Sequence, residues 1–127
     1  MEAVIHLDTH VVVWLFQGDR QRLQPVAHRL EASHLIISPM VALELQYLYE
    51  IGRLRVSARE VLSFLLDRHG LRESAHPLTD VVRVAVGLTC TRDPFDRLIA
   101  AQAMVEDVPL LTIDGILREH CPAAVWI

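Results

Sequence analysis

The sequence predicts an α/β fold of three layers (α/β/α), in which a central parallel sheet of four to five strands lies between helices. Short apolar runs of strand length alternate with segments of helical period along the chain. The connections are short, and this alternation is typical of parallel strands joined by helical crossovers. A length of 127 residues with 52% apolar residues fits one domain, which we expect to span residues 1–127.

Start and stop signals define the elements of the first half. Asp8 is a natural N-cap for a helix that Gly18 ends. Ser38 and Pro39 begin a later helix in the same way. The predicted elements are a strand at 3–7, a helix at 9–16, a polar turn at 19–24, a short helix at 25–32, a strand at 35–37 and a helix at 39–52.

The second half continues the alternation. Ser57 and Glu60 form a capping box, and Asp93 before Pro94 starts a second well-marked helix. The predicted elements are a helix at 57–69, an extended connection with a short strand at 71–78, a helix from 79, a loop at 87–92, a helix at 94–103, a strand at 108–113, a helix at 116–120 and a strand at 124–127. In the helix from 79, the residues expected to face inward are Val81, Val82, Val84 and Ala85.

Composition excludes several classes of protein. The net charge is −4, so overall charge does not indicate nucleic-acid binding. The sequence shows no secretory leader and no uncharged run of about 18 residues, which predicts a cytoplasmic protein without a membrane partner. Cys90 and Cys121 do not make a disulfide scaffold, and His120-Cys121 lacks the second ligand pair of a zinc site.

Four acidic residues occupy positions that a parallel sheet brings to one edge. Asp8 and Asp114 directly follow predicted strands. Glu44 and Asp96 lie in the first half of helices that leave the same edge, although surface placement of Glu44 is the simpler alternative. Clustered carboxylates repel one another, and a hard divalent cation such as Mg²⁺ (or Mn²⁺) relieves the repulsion. Because a bound metal activates water and neutralises phosphate charge, this set indicates phosphodiester cleavage.

Other polar residues receive simpler roles. We expect the hydroxyls of Thr9, Ser38 and Thr112 to serve as caps or in turns, with contacts to water or phosphate as the alternative. Eight other acids are expected to be solvated surface charges: Glu2, Asp19, Glu31, Glu50, Asp67, Glu73, Glu106 and Glu119.

Several segments, spread over nearly the whole chain, share the pattern of a known family. The most specific is 92–103, which reads Arg-Asp-Pro-Phe-Asp-Arg-Leu-Ile-Ala-Ala-Gln-Ala. The others, in chain order, are Leu7-Asp8-Thr9-His10, Trp14-Leu15, Ser38-Pro39 with Glu44, Gly52-Arg53-Leu54 and Pro109-Leu110-Leu111-Thr112-Ile113-Asp114. Together they resemble PIN-domain ribonucleases, and among these the VapC-type toxins of toxin–antitoxin modules. Two positions depart from the pattern: Leu43 stands where the family often has Trp, and Thr91 where it often has His.

This resemblance implies a PIN-like fold and a metal-dependent endoribonuclease. Asp8, Glu44, Asp96 and Asp114 would coordinate Mg²⁺ or Mn²⁺, with Asp93 outside the ligand set. The implied partners are an RNA substrate, a cognate antitoxin that masks the site, and a second copy of the chain in a homodimer.

Several alternatives stay open or are excluded at this point. Response-regulator receivers and haloacid-dehalogenase-type phosphatases also gather acids at a sheet edge, but both need a lysine and the chain has none. The remaining alternative is a catalytically inactive PIN-fold module that binds a protein partner. Arg92 and Arg97 are candidates for RNA backbone contacts or for structural ion pairs. Two apolar helical regions are expected to be mostly core, with partner surfaces as the alternative: Tyr47, Leu48 and Ile51 in one, and Leu62, Phe64, Leu65 and Leu66 in the other.

Overall fold

The computed structural model describes residues 3–127 and contains a five-stranded parallel sheet flanked by helices. The strands are β1 (Ala3–Leu7), β2 (Ser33–Ile37), β3 (Arg72–Glu73), β4 (Leu110–Leu111) and β5 (Ala124–Val125). Their order across the sheet is β3-β2-β1-β4-β5, and every pairing between neighbours is parallel. The predicted α/β architecture is therefore confirmed, with β1 in the centre. The prediction for Glu2 lies outside the described residues.

Helices connect the strands, and most start where the sequence indicates. They are α1 (Thr9–Gln17), α2 (Arg20–Leu23), α3 (Ala27–Ala32), α4 (Pro39–Glu50), α5 (Ala58–His69), α6 (Leu78–Val86), α7 (Pro94–Glu106) and α8 (Gly115–His120). The caps explain this agreement, because a side-chain oxygen accepts a hydrogen bond from a backbone N–H of the first turn. Such caps come from Asp8, Asp19, Ser38, Ser57, Asp93 and Asp114. Gly18, at φ 66°, ends α1 in the left-handed conformation that glycine adopts without strain.

Three predicted boundaries are wrong. The expected polar turn at 19–24 is mostly helix α2, because Asp19 caps it by accepting a hydrogen bond from the Arg22 backbone N–H at 3.1 Å. Pro25 lies in a 3₁₀ turn (Gln24–Val26), so α3 begins only at Ala27. The predicted strand at 108–113 pairs only over Leu110–Leu111.

The region of Tyr47, Leu48 and Ile51, at the end of α4, is only partly core. Tyr47 and Ile51 are 49% and 47% exposed, so the expectation is wrong for them, whereas Leu48 is half-buried against the core as expected. The helix packs against α1, α5 and α7, and its completely buried residues are Val41 and Leu45. The packed face of α4 therefore centres on Val41 and Leu45 rather than on Tyr47.

The same error occurs on a smaller scale in two other helices. In α5, Leu65 is buried but Phe64 and Leu66 are exposed. In α6, Val81 and Ala85 pack against Ala101 of α7 as a small second cluster, whereas Val82 is exposed. Each of these helices carries apolar residues on several of its sides, so the sequence alone did not determine which side packs.

Glu106 is not the solvated charge that was expected. Its Oε1 lies 2.6 Å from Nε2 of the fully buried His6, and its side chain is only 12% exposed. The Ser74 hydroxyl and the Gln102 amide donate hydrogen bonds to Oε2. Burial by itself raises the pKa of Glu106, but the hydrogen bonds from Ser74, His6 and Gln102 outweigh it and lower the pKa below the ordinary value. This network joins α7 to β1 and to the segment after β3.

Two further expectations concern cysteines and membranes. Cys90 and Cys121 are both free thiols, and Cys121 is buried in the core. Among residues 3–127, every helix is too short or too polar to cross a lipid bilayer.

Candidate active site

Asp8 is held at the carboxyl end of the central strand. The register of β1 and β4 pairs Leu7 with Leu111, so the residues that follow, Asp8 and Thr112, are neighbours. The Thr112 hydroxyl donates a 2.6 Å hydrogen bond to Oδ2 of Asp8, and the Thr9 backbone N–H donates to Oδ1 at 2.8 Å. Asp8 is only 5% exposed, and both of its carboxylate oxygens are thereby oriented.

Asp114 is linked to the same hydroxyl. Its backbone N–H donates to Oγ1 of Thr112 at 3.0 Å, and its own Oδ1 accepts from the Leu117 backbone N–H as the cap of α8. Thr112 therefore bridges the acids that follow β1 and β4, and it holds the two strand ends in a defined relation.

Glu44 reaches the site from α4 through a second threonine. The Thr9 hydroxyl donates a short hydrogen bond to Oε1 of Glu44, and the Glu44 side chain is half-buried. Surface placement of Glu44 is therefore excluded. Of the three hydroxyls expected to serve as caps or in turns, Ser38 is a cap, because it accepts from the Met40 backbone N–H. Thr112 makes a turn contact by accepting from the Asp114 backbone N–H, and it also donates to Asp8. Thr9 contacts an acidic side chain instead.

Asp96 lies in the first turn of α7 and is half-buried. Asp93 caps this helix by accepting a hydrogen bond from the Asp96 backbone N–H at 3.1 Å. Burial raises the pKa of Asp96 to about 7, and neighbouring negative charges add to the effect. In decreasing order of effect, these charges belong to Asp8, Asp93, Asp114 and Glu44.

The four predicted acids influence one another electrostatically. Burial also raises the pKa of Asp8, against hydrogen bonds from Thr112 and Thr9 that lower it, and the charge of Asp114 adds to the rise. Burial likewise raises the pKa of Glu44, with contributions from Asp8 and Asp93. Each acid that shifts does so partly because of another acid, as expected of a carboxylate cluster.

The cluster lacks counter-ions from the part of the chain that the structure describes. No ion pair between residues 3–127 involves Asp8, Glu44, Asp96 or Asp114. Within the same range, no group of three or more aspartate, glutamate, histidine or cysteine side chains is arranged to coordinate a single metal ion. The acids are thus grouped and uncompensated, but their oxygens do not converge on a single point.

The two arginines that flank Asp96 have different environments. Arg97 donates to the backbone carbonyls of Ala85 at 2.9 and 3.1 Å and of Val86 at 3.1 Å, at the end of α6. Arg92 is exposed and donates to the Thr89 carbonyl at 3.1 Å. Arg97 therefore has the structural role of joining α7 to α6, through carbonyls rather than an ion pair.

Sequence reasoning missed three contributors to this site. Thr9 and Thr112 orient the carboxylates of the cluster, and Asp93 acts on the pKa of both Asp96 and Glu44. A sequence signal for the threonines exists: each lies within two residues of an acid at a strand end, in Asp8-Thr9 and Thr112-Ile113-Asp114.

Known proteins resemble this chain over nearly its whole length. Ribonuclease VapC22 of Mycobacterium tuberculosis is 34% identical over 131 residues, which cover 98% of this chain and 99% of that protein. VapBC2 from Rickettsia felis, solved bound to a DNA fragment from its promoter, superposes with a TM-score of 0.66 at 19% identity and covers 98% of this chain and 97% of its own. A toxin–antitoxin complex from Klebsiella pneumoniae gives a TM-score of 0.67 at 18% identity, with 95% of both chains covered.

A family model covers most of the chain. The model of the PIN domain matches residues 5–121, a range that begins in β1 and includes Asp8, Glu44, Asp96 and Asp114. With nearly the whole chain matched and an acidic cluster at the carboxyl edge of its parallel sheet, this protein belongs to the PIN domain family.

Proposed function

We propose that this protein is a Mg²⁺- or Mn²⁺-dependent endoribonuclease and the toxin of a type II toxin–antitoxin pair, inhibited by a cognate antitoxin. The mycobacterial relative that it matches from end to end is named a ribonuclease. Its solved neighbours include VapBC2 from Rickettsia felis and a toxin–antitoxin complex from Klebsiella pneumoniae. These similarities support both the activity and the partner.

The observation that carries the proposal is the grouping of four acids without a counter-ion from residues 3–127. Carboxylate oxygens are the ligands that Mg²⁺ and Mn²⁺ prefer, and a divalent cation compensates the repulsion that raises the pKa of Asp96. The residues thus fit a hard cation in donor type and in charge. Asp8, Glu44, Asp96 and Asp114 would hold it, and once bound it would supply an activated water and neutralise phosphate charge.

The chain's own residues prepare the site for this chemistry. Thr112 fixes Asp8 and Asp114 relative to each other, and Thr9 fixes Glu44 relative to Asp8. Because these hydrogen bonds join β1, β4 and α4, the carboxylates keep their places before substrate arrives. Such preorganisation lowers the reorganisation needed during the reaction.

Substitution of single acids tests the activity. Asp96→Asn and Asp8→Asn should reduce metal-dependent RNA cleavage at least about 100-fold, the scale on which lost electrostatic groups act in active sites. Asp67→Asn makes the same chemical change at an exposed position of α5 and should leave the activity unchanged. Cleavage of RNA is measured with Mg²⁺, with Mn²⁺ and with EDTA, after circular dichroism has shown that each variant is folded.

The outcomes separate this function from the catalytically inactive PIN-fold binding module. Wild-type activity in a folded Asp96→Asn variant would contradict the assignment of the acids. A wild-type protein that cleaves no RNA with either metal, yet still binds a protein partner, would favour the binding module.

Exposed apolar residues support the proposed partners. Leu43, Tyr47 and Ile51 on α4, with Phe64 and Leu66 on α5, leave apolar surface in contact with solvent, and clustered apolar surface is typical of interaction sites. We assign such surface to the antitoxin and to a homodimer. Light scattering of the free protein tests the dimer, and a monomeric mass at micromolar concentration would exclude it.

A further inference from the structure

An open pocket of about 560 Å³ lies beside the acidic cluster, and its walls are aromatic and cationic rather than acidic. It is lined by His10, Trp14, Arg22, Ile113 and Trp126. Its volume falls within the range of about 300–1,000 Å³ in which small ligands are held. None of its lining residues belongs to the acidic cluster, so the pocket is a separate feature.

The rings in this pocket form a continuous set. The His10 and Trp14 ring centroids are 6.3 Å apart with planes tilted by 52°, and Trp126 meets Trp14 edge-on at 6.2 Å. The Arg22 guanidinium lies 5.4 Å from the centroid of the Trp14 ring and is also paired with Asp19 at 3.3 Å. Aromatic faces combined with an arginine are the features on which unpaired bases stack.

The pocket is adjacent to the acids along the chain. His10 is two residues from Asp8 in the first turn of α1, and Ile113 is next to Asp114 and 42% exposed. A nucleotide bound at the acids therefore has a neighbouring nucleotide within reach of these rings.

We propose that the pocket formed by His10, Trp14, Arg22 and Trp126 binds an unpaired base of the RNA, next to the phosphate that lies at the acidic cluster. This inference rests on the proposed ribonuclease function and extends it, because it assigns a base-binding subsite. The rings stack on the base, and Arg22 contributes positive charge near the anionic backbone. A stacking site of this kind favours single-stranded over paired RNA, since a paired base is not free to enter.

Two features favour RNA over a protein segment as the occupant. The pocket contains a cationic side chain, Arg22, and the imidazole ring of His10, in a protein whose net charge is −4. It also opens beside the residues that follow β1 and β4, where the phosphate is expected. Both features match a polyanion that continues from the acidic cluster.

Tryptophan fluorescence gives a direct test, because both tryptophans of the chain line this pocket. A short single-stranded oligouridylate is titrated into the full-length protein in EDTA, which prevents metal-dependent cleavage. The matched probe has the same ribose-phosphate backbone but no bases. Stacking should quench the emission with the base-bearing probe only, and that probe should bind about 5- to 150-fold more tightly, the contribution of one or more stacked bases.

Substitutions of the pocket residues test whether the base binds in this pocket. Trp14→Ala should remove most of the preference for the base-bearing probe, and Trp14→Phe should keep most of it because a ring remains. His10 is exposed, so His10→Ala should fold normally and lose part of the preference. Tyr49→Ala is the control, because it removes an exposed aromatic ring of α4 that belongs neither to this pocket nor to the acidic cluster. With Mg²⁺ or Mn²⁺ present, the pocket variants should raise KM for single-stranded RNA more than they lower kcat.

Three results would overturn the proposal. The first is equal binding of the two probes by a wild-type protein that does cleave RNA, and the second is an unchanged preference in both Trp14→Ala and His10→Ala. The third is a tryptophan fluorescence that does not change when RNA is added but does change when a protein partner is added, which would assign the pocket to that partner. A wild-type protein that cleaves no RNA with either metal would instead contradict the proposed function, so the two failures are distinguishable.

Discussion

Replacing Asp96 with asparagine should stabilise the metal-free protein at alkaline pH. Burial and four neighbouring carboxylates raise the pKa of Asp96 from 3.8 to about 7. A raised carboxyl pKa means that the folded state holds the charged form less favourably than the unfolded state does. The free-energy cost of keeping Asp96 charged in the folded state is therefore fully present above about pH 7. It decreases as the pH falls and disappears below about pH 4. The asparagine side chain carries no charge at any pH, so the variant avoids this cost.

The magnitude follows from the size of this change. A pKa shift of one unit corresponds to about 1.4 kcal/mol, so the full shift of the Asp96 pKa to about 7 corresponds to about 4 kcal/mol. Because the Asp96 side chain is only half-buried, solvent screening reduces this value to about 1–2 kcal/mol. Asp96→Asn should gain that free energy of unfolding near pH 8, and the gain should vanish near pH 4.

Urea denaturation in EDTA, followed by circular dichroism at several pH values, measures the difference between variant and wild type. Taking this difference cancels the titration of other groups that both proteins share. Asp67→Asn, at an exposed position, controls for the loss of one negative charge and should show a small difference that changes little with pH. A variant that is less stable than wild type at alkaline pH, or a difference independent of pH, would refute the repulsion argument.

Three further predictions follow from the site and its surroundings. Mg²⁺ or Mn²⁺ at 100 times its dissociation constant should add about 2.7 kcal/mol to the free energy of unfolding by linkage. The Asp8→Asn variant should lose most of the accompanying rise in melting temperature. An equal rise in wild type and variant would place the metal elsewhere. Thr112→Val should destabilise the protein by about 1–3 kcal/mol in urea, because Asp8 loses a hydrogen bond in a buried site. This variant should also cleave RNA more slowly. Thr79→Val, at an exposed position, should change neither the stability nor the cleavage. Glu106→Ala should likewise destabilise the protein by about 1–3 kcal/mol, because it removes the partner of buried His6. Since the pKa of Glu106 is lowered in the fold, the loss should be complete at neutral pH and should diminish as the pH falls below the ordinary glutamate pKa of 4.5. The same urea series at different pH values can measure this change.

Local signals in the sequence were sufficient for the order of strands and helices. Asp8, Ser38, Ser57 and Asp93 mark helix starts that the structure confirms, because a cap depends only on backbone groups within the next turn. The pattern of short strands and helices also implied a parallel sheet. Once the sheet is parallel, strand ends and helix starts share one edge, and the grouping of the four acids follows from that geometry.

The tertiary structure decided which surfaces pack and which polar groups meet. Leu43 and Tyr47 are exposed while Val41 and Leu45 are buried, although all four are apolar and lie on one helix. Glu106 contacts His6 across 100 positions of sequence, and no local pattern distinguishes it from a solvated glutamate.

What the sequence by itself determined is therefore the set of elements and their caps, which depend on interactions within a few residues. The partners of Thr9, Thr112 and Glu106, and the packed side of α4, were decided only by the folded structure. The physical reason is that burial and long-range hydrogen bonds depend on which elements are neighbours in space, and a helix with apolar residues on several sides is compatible with more than one packing.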